Sequence, residues 1–340
     1  MSEQAYLNLL QDILDNGVKK SIYAENGKTL PTVDKNKYYE VDKNSKYLSS
    51  VVGKILRFDL TDNKIPLYTT KAVYYPGAFK EFLWFLNDRG DVSKLHQAGF
   101  PGWNGWAYKH YLKNKTEDEI TLEYADFVNH YLSIPGKPYF VEVPYTDMTG
   151  WEYPDWAESF RQGVPCYKKV DQTRWLIKSV KKAPDRKSYL VQAWNPLRLY
   201  EMSKQCGNAS VELAACHYSH QVIVQGGYLT LIVNIRSNDM PIGNPFNVAQ
   251  YGLLAHMYAK CIGYPAGELV VMIGDGHCYS DQKEGVLEQI DKPINNLAPT
   301  LTIKDRGQQY LTDFKYSDFK VHNYFPEESI RMPLTIVGGF

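Results

Sequence analysis

The chain carries no excess charge of either sign: lysine plus arginine and aspartate plus glutamate both number 38 in 340 residues. A field of one sign, of the kind that gathers nucleic acid or an anionic membrane surface, is therefore excluded, and any phosphate must be held by a local cluster. Cysteine is scarce. Cys166, Cys206, Cys216, Cys261 and Cys278 are odd in number and form no CxxC pair, which fits separate thiols in a reducing cytosol better than a disulfide framework. No apolar run approaches the roughly 18 residues that a membrane-spanning helix needs, and no signal peptide opens the sequence, so a cytoplasmic protein is expected. A glycine loop of the phosphate-cradling type is missing as well. Apolar residues, by contrast, make up 44%. That is enough to bury a sizeable core, and the absence of a linker composition favours one large domain over residues 1–340.

The most informative stretch runs from Leu213 to Asn247. A β-rich run ends at Gln225, the pair Gly226-Gly227 follows, and a second β-rich run covers Tyr228 to Ile235, which together predict a hairpin. Such a hairpin brings Cys216, before the first strand, toward Arg236 at the end of the second. A guanidinium there would favour the thiolate, which is the nucleophilic form of cysteine. Cys216, His217 and His220 do not make a persuasive zinc set: the adjacent pair would face opposite ways in a strand, and no second cysteine stands at ligand spacing. A cysteine–histidine protease dyad fails for a similar reason, because its members normally come from distant segments.

Elsewhere, Tyr6, Leu9, Leu10, Ile13 and Leu14 recur at helical spacing between Ser2 and Gly17. Residues 21–46 are polar and rich in turn formers, and read as an inserted loop. Tyr47 to Leu60 alternates as a strand. Gly77 to Leu86 is a strongly apolar segment with one carboxylate, Glu81, which is either on a wet face or desolvated with a raised pKa. In Gly102-Trp103-Asn104-Gly105-Trp106 the glycines and indoles argue against regular structure, and the indoles are loop anchors or stacking surfaces. A helix is expected over 170–182, another over Val248–Cys261, and a core strand over Leu269–Ile273 followed by His277 and Tyr279 on one face. Residues 107–165 form a second insertion.

The order of these motifs resembles the thymidylate synthase and pyrimidine hydroxymethylase superfamily. The resemblance rests on Cys216-His217, on Arg236-Ser237-x-Asp239, and on Gly243-x-Pro245-Phe246-Asn247, and it covers Tyr6 to Ile336. It implies an α+β fold: a mixed β-sheet with helices packed on one face, and a homodimer formed through the other. It also implies a chemistry, in which the Cys216 thiolate adds to C6 of a pyrimidine nucleotide and makes C5 an enolate nucleophile. That carbon then takes a one-carbon unit from 5,10-methylenetetrahydrofolate.

Residue by residue, the resemblance makes Cys216, His217, Glu81, Asn247, Asp239 and Tyr145 the catalytic set, with Glu81 organising proton transfer and Tyr145 the weakest match in spacing. Arg57, Arg236 and Ser237 would hold the phosphate. Arg186 and Lys187, in a Pro-Asp-Arg-Lys-Ser segment, would reach the partner subunit's phosphate, although a lysine lacks the bidentate fork of arginine. His277 and Tyr279 would bond the sugar hydroxyl, while Trp103, Trp106, Lys71 and Asp239 would hold the folate. No metal is called for. Asn247 is the base reader, since an amide donates to uracil O4 and accepts from N3–H where an acid would suit cytosine; dUMP is the expected substrate.

The product divides the readings. Val233 to Asp239 resembles the phage-type dUMP hydroxymethylases, synthases usually have glutamine where Ile235 sits, and four residues (Val337 to Phe340) run past the position of the closing carboxylate. The sequence thus favours 5-hydroxymethyl-dUMP, made in a host cytoplasm if the source is a phage. The alternatives are a thymidylate synthase releasing dTMP and dihydrofolate, a dCMP hydroxymethylase, and a catalytically dead nucleotide-binding relative.

Overall fold

The computed structural model describes residues 2–21, 47–88, 90–113, 122–140, 151–154, 156–194 and 215–333. Its helices are α1 (Ser2–Asn16), α2 (Tyr75–Asn87), α3 (Val92–Gln97), α4 (Asn104–Lys113), α5 (Tyr124–Phe127), α6 (Trp156–Gln162), α7 (Gln172–Lys182), α8 (Gly243–Ile262) and α9 (Lys283–Ile290). Six strands form the main sheet: β1 (Val18–Ser21), β2 (Tyr47–Asp59), β5 (Leu190–Gln192), β6 (His217–Gln225), β7 (Tyr228–Asp239) and β8 (Ala266–Tyr279). They lie in the order β1-β2-β8-β7-β6-β5. Only β7 and β8 are parallel. The remaining strands make two antiparallel ribbons, β3 (Trp151–Pro154) with β4 (Tyr167–Val170) and β9 (Thr300–Ile303) with β10 (Phe319–His322).

The glycine pair does what the hairpin requires. Gly226 and Gly227 have φ of 60° and 82°, and Gln225 pairs with Tyr228 across them, the geometry of a two-residue turn matched to strand twist. A parallel neighbour for β7 then needs a crossover, which α8 supplies. This helix is apolar nearly all round: Leu253, Leu254, Ala255 and Met257 are fully buried, and each large side chain adds on the order of 2 kcal/mol by leaving water. Helices α1 and α8 pack on the same side of the sheet, α1 against β2 and β8 and α8 against β7 and β8. The other side alternates out of the core, with Ile55 at 53%, Met272 at 41% and Leu190 at 39% exposure.

The α+β class and the mixed sheet with helices on one face agree with the expectation. Several boundaries differ. Helix α8 begins at Gly243 and not Val248, because Pro245 falls in its first turn, where the missing N–H would have no partner anyway. Strand β8 runs on through Gly274 and Gly276 to Tyr279, held by β2 and β7 on its two sides. Asn104 to Lys113, with Trp106 inside it, is helical, against the expectation of irregular structure. The reason is a buried face at i, i+4 and i+8, Trp103, Ala107 and Tyr111, which outweighs Gly105. Among the described residues no helix is long and apolar enough to cross a membrane.

Candidate active site

The first half of α8 is the frame of the site. Asn247, Gln250 and Tyr251 lie at i, i+3 and i+4 on one helical face, and each ties a different part of the chain to it. The Asn247 Oδ1 accepts from Asn238 Nδ2 at 2.9 Å. Gln250 Nε2 donates to Glu81 Oε2 at 2.6 Å and to the Ala78 carbonyl at 3.3 Å, joining α8 to α2. The Tyr251 hydroxyl lies 2.7 Å from His217 Nδ1, at the start of β6.

Glu81 is the acid that the apolar run around it isolates. Its Oε1 accepts from Trp103 Nε1 at 2.6 Å, so both oxygens have neutral donors, and among the described residues no cation is bonded to either. Burial pushes its pKa up from 4.5 to about 7, and the bonds from Trp103 and Gln250 hold back part of that rise. A carboxyl so placed exchanges a proton at neutral pH. Trp103 itself packs against Trp84 and Phe85, with ring centroids 5.3 and 6.1 Å away.

Cys216 and Arg236 meet as the hairpin requires. The Arg236 N–H donates to the Cys216 carbonyl at 2.8 Å, its Nε donates to the Ala215 carbonyl at 3.0 Å, and its guanidinium lies 5.6 Å from the centre of the Trp194 ring. Cys216 is half-buried, while the next residue, His217, points into the core. Burial, with His220 close by, lowers the His217 pKa to about 3 and keeps the ring neutral. His220 is likewise buried, 2.9 Å from the Tyr258 hydroxyl.

The parallel pair brings a further set together at its carboxyl ends, where Ser237, Asn238 and Asp239 lie beside Asp275, Gly276 and His277. His277 Nδ1 donates to Asp275 Oδ1 at 3.2 Å, and its ring meets Tyr279 edge-on at 5.3 Å. Asp239 accepts from the Ile242 N–H and from Gln282 Nε2; burial raises its pKa against these bonds and against the charges of His277 and Lys71. Lys71 is drawn inward, donating to the Pro241 carbonyl at 2.5 Å, and desolvation lowers it to about 8. The two folate candidates Lys71 and Asp239 therefore adjoin one loop. Trp106 is half-buried in the first turn of α4.

The phosphate candidates divide. Arg236 and Ser237 belong to this cluster. Arg57 does not: it pairs with Glu268 at 2.9 Å, 62% exposed. It stands roughly 20 Å along β2 from Ser50, the partner of His277, at about 3.3 Å per residue. Arg186 and Lys187 are exposed in the turn before β5, where the Lys187 carbonyl accepts from Gln221. Tyr145, Ile336, the four residues after it and most of the 21–46 insertion lie outside the described residues. Sequence reasoning missed Gln250, Asn238 and Tyr251. A lone amide inside the otherwise largely apolar run from Val248 to Ala255 was the available signal, because a buried amide requires a partner.

Comparison with known proteins gives the family. The family model described as thymidylate synthase matches residues 4–336. Thymidylate synthase 1/2 of Encephalitozoon cuniculi is 29% identical over 336 residues, 98% of this chain and 97% of that protein. The thymidylate synthase of Leuconostoc mesenteroides is 29% identical over 356 residues, 98% and 99% of the two chains. The chain spans 61% of the bifunctional dihydrofolate reductase-thymidylate synthase of Paramecium tetraurelia, at 29% identity over 336 residues and 98% of this chain, and 55% of the corresponding Leishmania amazonensis protein. With the matched family model running through nearly its whole length, this chain belongs to the thymidylate synthase family.

Proposed function

We propose that the chain transfers a one-carbon unit from 5,10-methylenetetrahydrofolate to C5 of dUMP, giving dTMP and dihydrofolate. The observation that carries this reading is the convergence on one half-helix of the Cys216 loop, the Glu81 acid and the Asn247 amide. The Cys216 thiolate bonds to C6, and the C5–C6 π electrons move to O4. C5 then attacks the methylene carbon of the folate, loses its proton, and tetrahydrofolate leaves as a base. A hydride from that folate reduces the exocyclic methylene to methyl while the sulfur departs from C6.

Each neighbouring group has a place in this sequence. Asn247 bonds the O4 and N3–H edge, Glu81 passes protons around O4 and C5 near neutral pH, and Asp239 with Lys71 holds the pterin side. Trp103, Trp106 and the buried His217 line or support the pocket, and Tyr145 keeps its catalytic role on the sequence resemblance alone. Arg236 and Ser237 take the phosphate, His277 and Tyr279 the sugar. Arg186 and Lys187 serve a second copy of the chain, docked on the sheet face that carries Ile55, Met272 and Leu190; the exposure of these three apolar residues supports that homodimer.

The relatives are thymidylate synthases by name, which favours the methyl product over the hydroxymethyl product that the sequence pointed to. One observation keeps the second reading in play: Ile235, fully buried, replaces a glutamine usual in synthases. Incubation with dUMP and methylenetetrahydrofolate separates the two. Dihydrofolate absorbance with a methylated nucleotide by mass spectrometry is expected. A product heavier by one oxygen without dihydrofolate establishes the hydroxymethylase, product from dCMP alone overturns the reading of Asn247, and no product from either nucleotide makes the chain a binding relative.

A further inference from the structure

We propose that Asn238 is a specificity-determining positioning residue: at the end of a buried chain from Tyr68 through Asn244, it locks the Asn247 amide in the orientation that reads a 4-oxo pyrimidine and rejects a 4-amino one. This rests on Asn247 as base reader.

The chain has a direction. The Tyr68 hydroxyl donates to Asn244 Oδ1 at 2.8 Å, Asn244 Nδ2 donates to Asn238 Oδ1 at 2.7 Å, and Asn238 Nδ2 donates to Asn247 Oδ1 at 2.9 Å. Tyr68, Asn238 and Asn244 are 2%, 2% and 0% exposed, so water does not substitute for a lost partner. Burial, with Tyr6 and Glu3 nearby, raises the Tyr68 pKa well above its ordinary value, and the phenol keeps its proton to donate. That single O–H fixes the order of every amide beyond it, since reversing the chain would leave the phenolic hydrogen without its acceptor. Gly243 closes over the last link: a Cβ built there would lie 3.7 Å from Asn238 Nδ2 and 3.9 Å from Asn247 Oδ1.

The direction matters because the two orientations of one amide read opposite base edges. With Oδ1 held by Asn238, Asn247 turns its Nδ2 donors to a 4-oxo group and keeps a second lone pair on Oδ1 for N3–H. Turned over, the same amide would accept from a 4-amino group and donate to an unprotonated N3, the edge of cytosine. A free asparagine could serve either base. Turning Asn247 here would set two N–H donors face to face at Asn238, a loss on the order of ten- to hundredfold in affinity for the 4-amino base.

The test measures binding of dUMP and dCMP to the full chain by calorimetry, together with kcat/KM for each. Asn238→Ala is expected to lower the dUMP-to-dCMP preference about tenfold or more. Asn238→Asp, whose carboxylate only accepts and so draws in the Nδ2 of Asn247, should lower it further through gained dCMP binding. Tyr68→Phe, which keeps the packing and removes the directing proton, should shift it in the same direction by less, and it carries the test if the Asn238 variants fail to fold. Asn247→Asp separates the two levels. If it leaves the preference unmoved, the base-reading role falls and this proposal with it. If it moves the preference while Asn238→Ala, Asn238→Asp and Tyr68→Phe all keep the native ratio, the proposal alone is overturned.

Discussion

Asn247, Glu81 and Asp239 each sit in a set of part-buried hydrogen bonds, whereas Arg57, Arg186 and Lys187 stand in water on the far face and edge of the same sheet. The first group is organised before substrate arrives, because burial makes any lost partner costly. The second is not, and ordering long cationic side chains costs conformational entropy that only a bound phosphate or an apposed surface can offset. The contrast separates a set that one chain prepares by itself from exposed cations that, in the function proposed above, meet a second copy.

Removing the nucleophile should produce the largest effect on the prepared half. Cys216→Ala is expected to lower turnover by at least about a thousandfold while dUMP still binds by calorimetry; retained turnover would sink the covalent route. Next comes Glu81→Gln, with a loss of roughly a hundredfold in kcat and a signature in stability. Because burial moves this carboxyl from 4.5 to about 7, the folded state holds its proton more tightly than the unfolded chain. The contribution is fully present below about pH 4.5 and is lost as pH rises through 7, on the order of 3 kcal/mol at about 1.4 kcal/mol per pH unit. Denaturant melts at pH 5 and pH 8 should show this fall in the native protein and not in Glu81→Gln.

On the exposed side, the double change of Arg186 and Lys187 to alanine should raise the KM for dUMP about tenfold at low salt and by less at high salt, with kcat within about twofold. Mixing that variant with Cys216→Ala sharpens the comparison: a fraction of the activity regaining the native KM for dUMP means the two halves come from different copies, and a KM that stays raised means each chain works alone. The smallest effect belongs to Arg57→Ala. Its ion pair with Glu268 is exposed, and a change of more than about twofold in KM would place it in the phosphate grip after all.

Much of the fold was legible because it follows local rules. The buried stripe of α1, the Gly226-Gly227 turn and the alternation of β2 each need only neighbours in sequence. The α4 helix was hidden by Gly102, Gly105 and two indoles, whose local signal opposes a face that is completed only by packing. In the site, spacing brought Cys216 to within a residue of Arg236, since a tight hairpin sets its own register, and a bulge between His217 and Ser219 makes the final match. Gln250 with Glu81 and Asn238 with Asn247 were not legible: α2 meets α8, and the end of β7 meets its first turn, through tertiary contacts no local pattern encodes. Arg57 shows the opposite failure. A convincing strand-end motif says nothing about which end of the sheet that residue reaches.

The most direct measurement is trapping of the Cys216 adduct with 5-fluoro-dUMP and methylenetetrahydrofolate, followed by peptide mass spectrometry. Fluorine cannot leave C5 as a proton does, so the addition should halt with nucleotide and folate joined to the enzyme. The account predicts that combined mass on the peptide containing Cys216. An unmodified Cys216 peptide, or the mass on another cysteine, would contradict it.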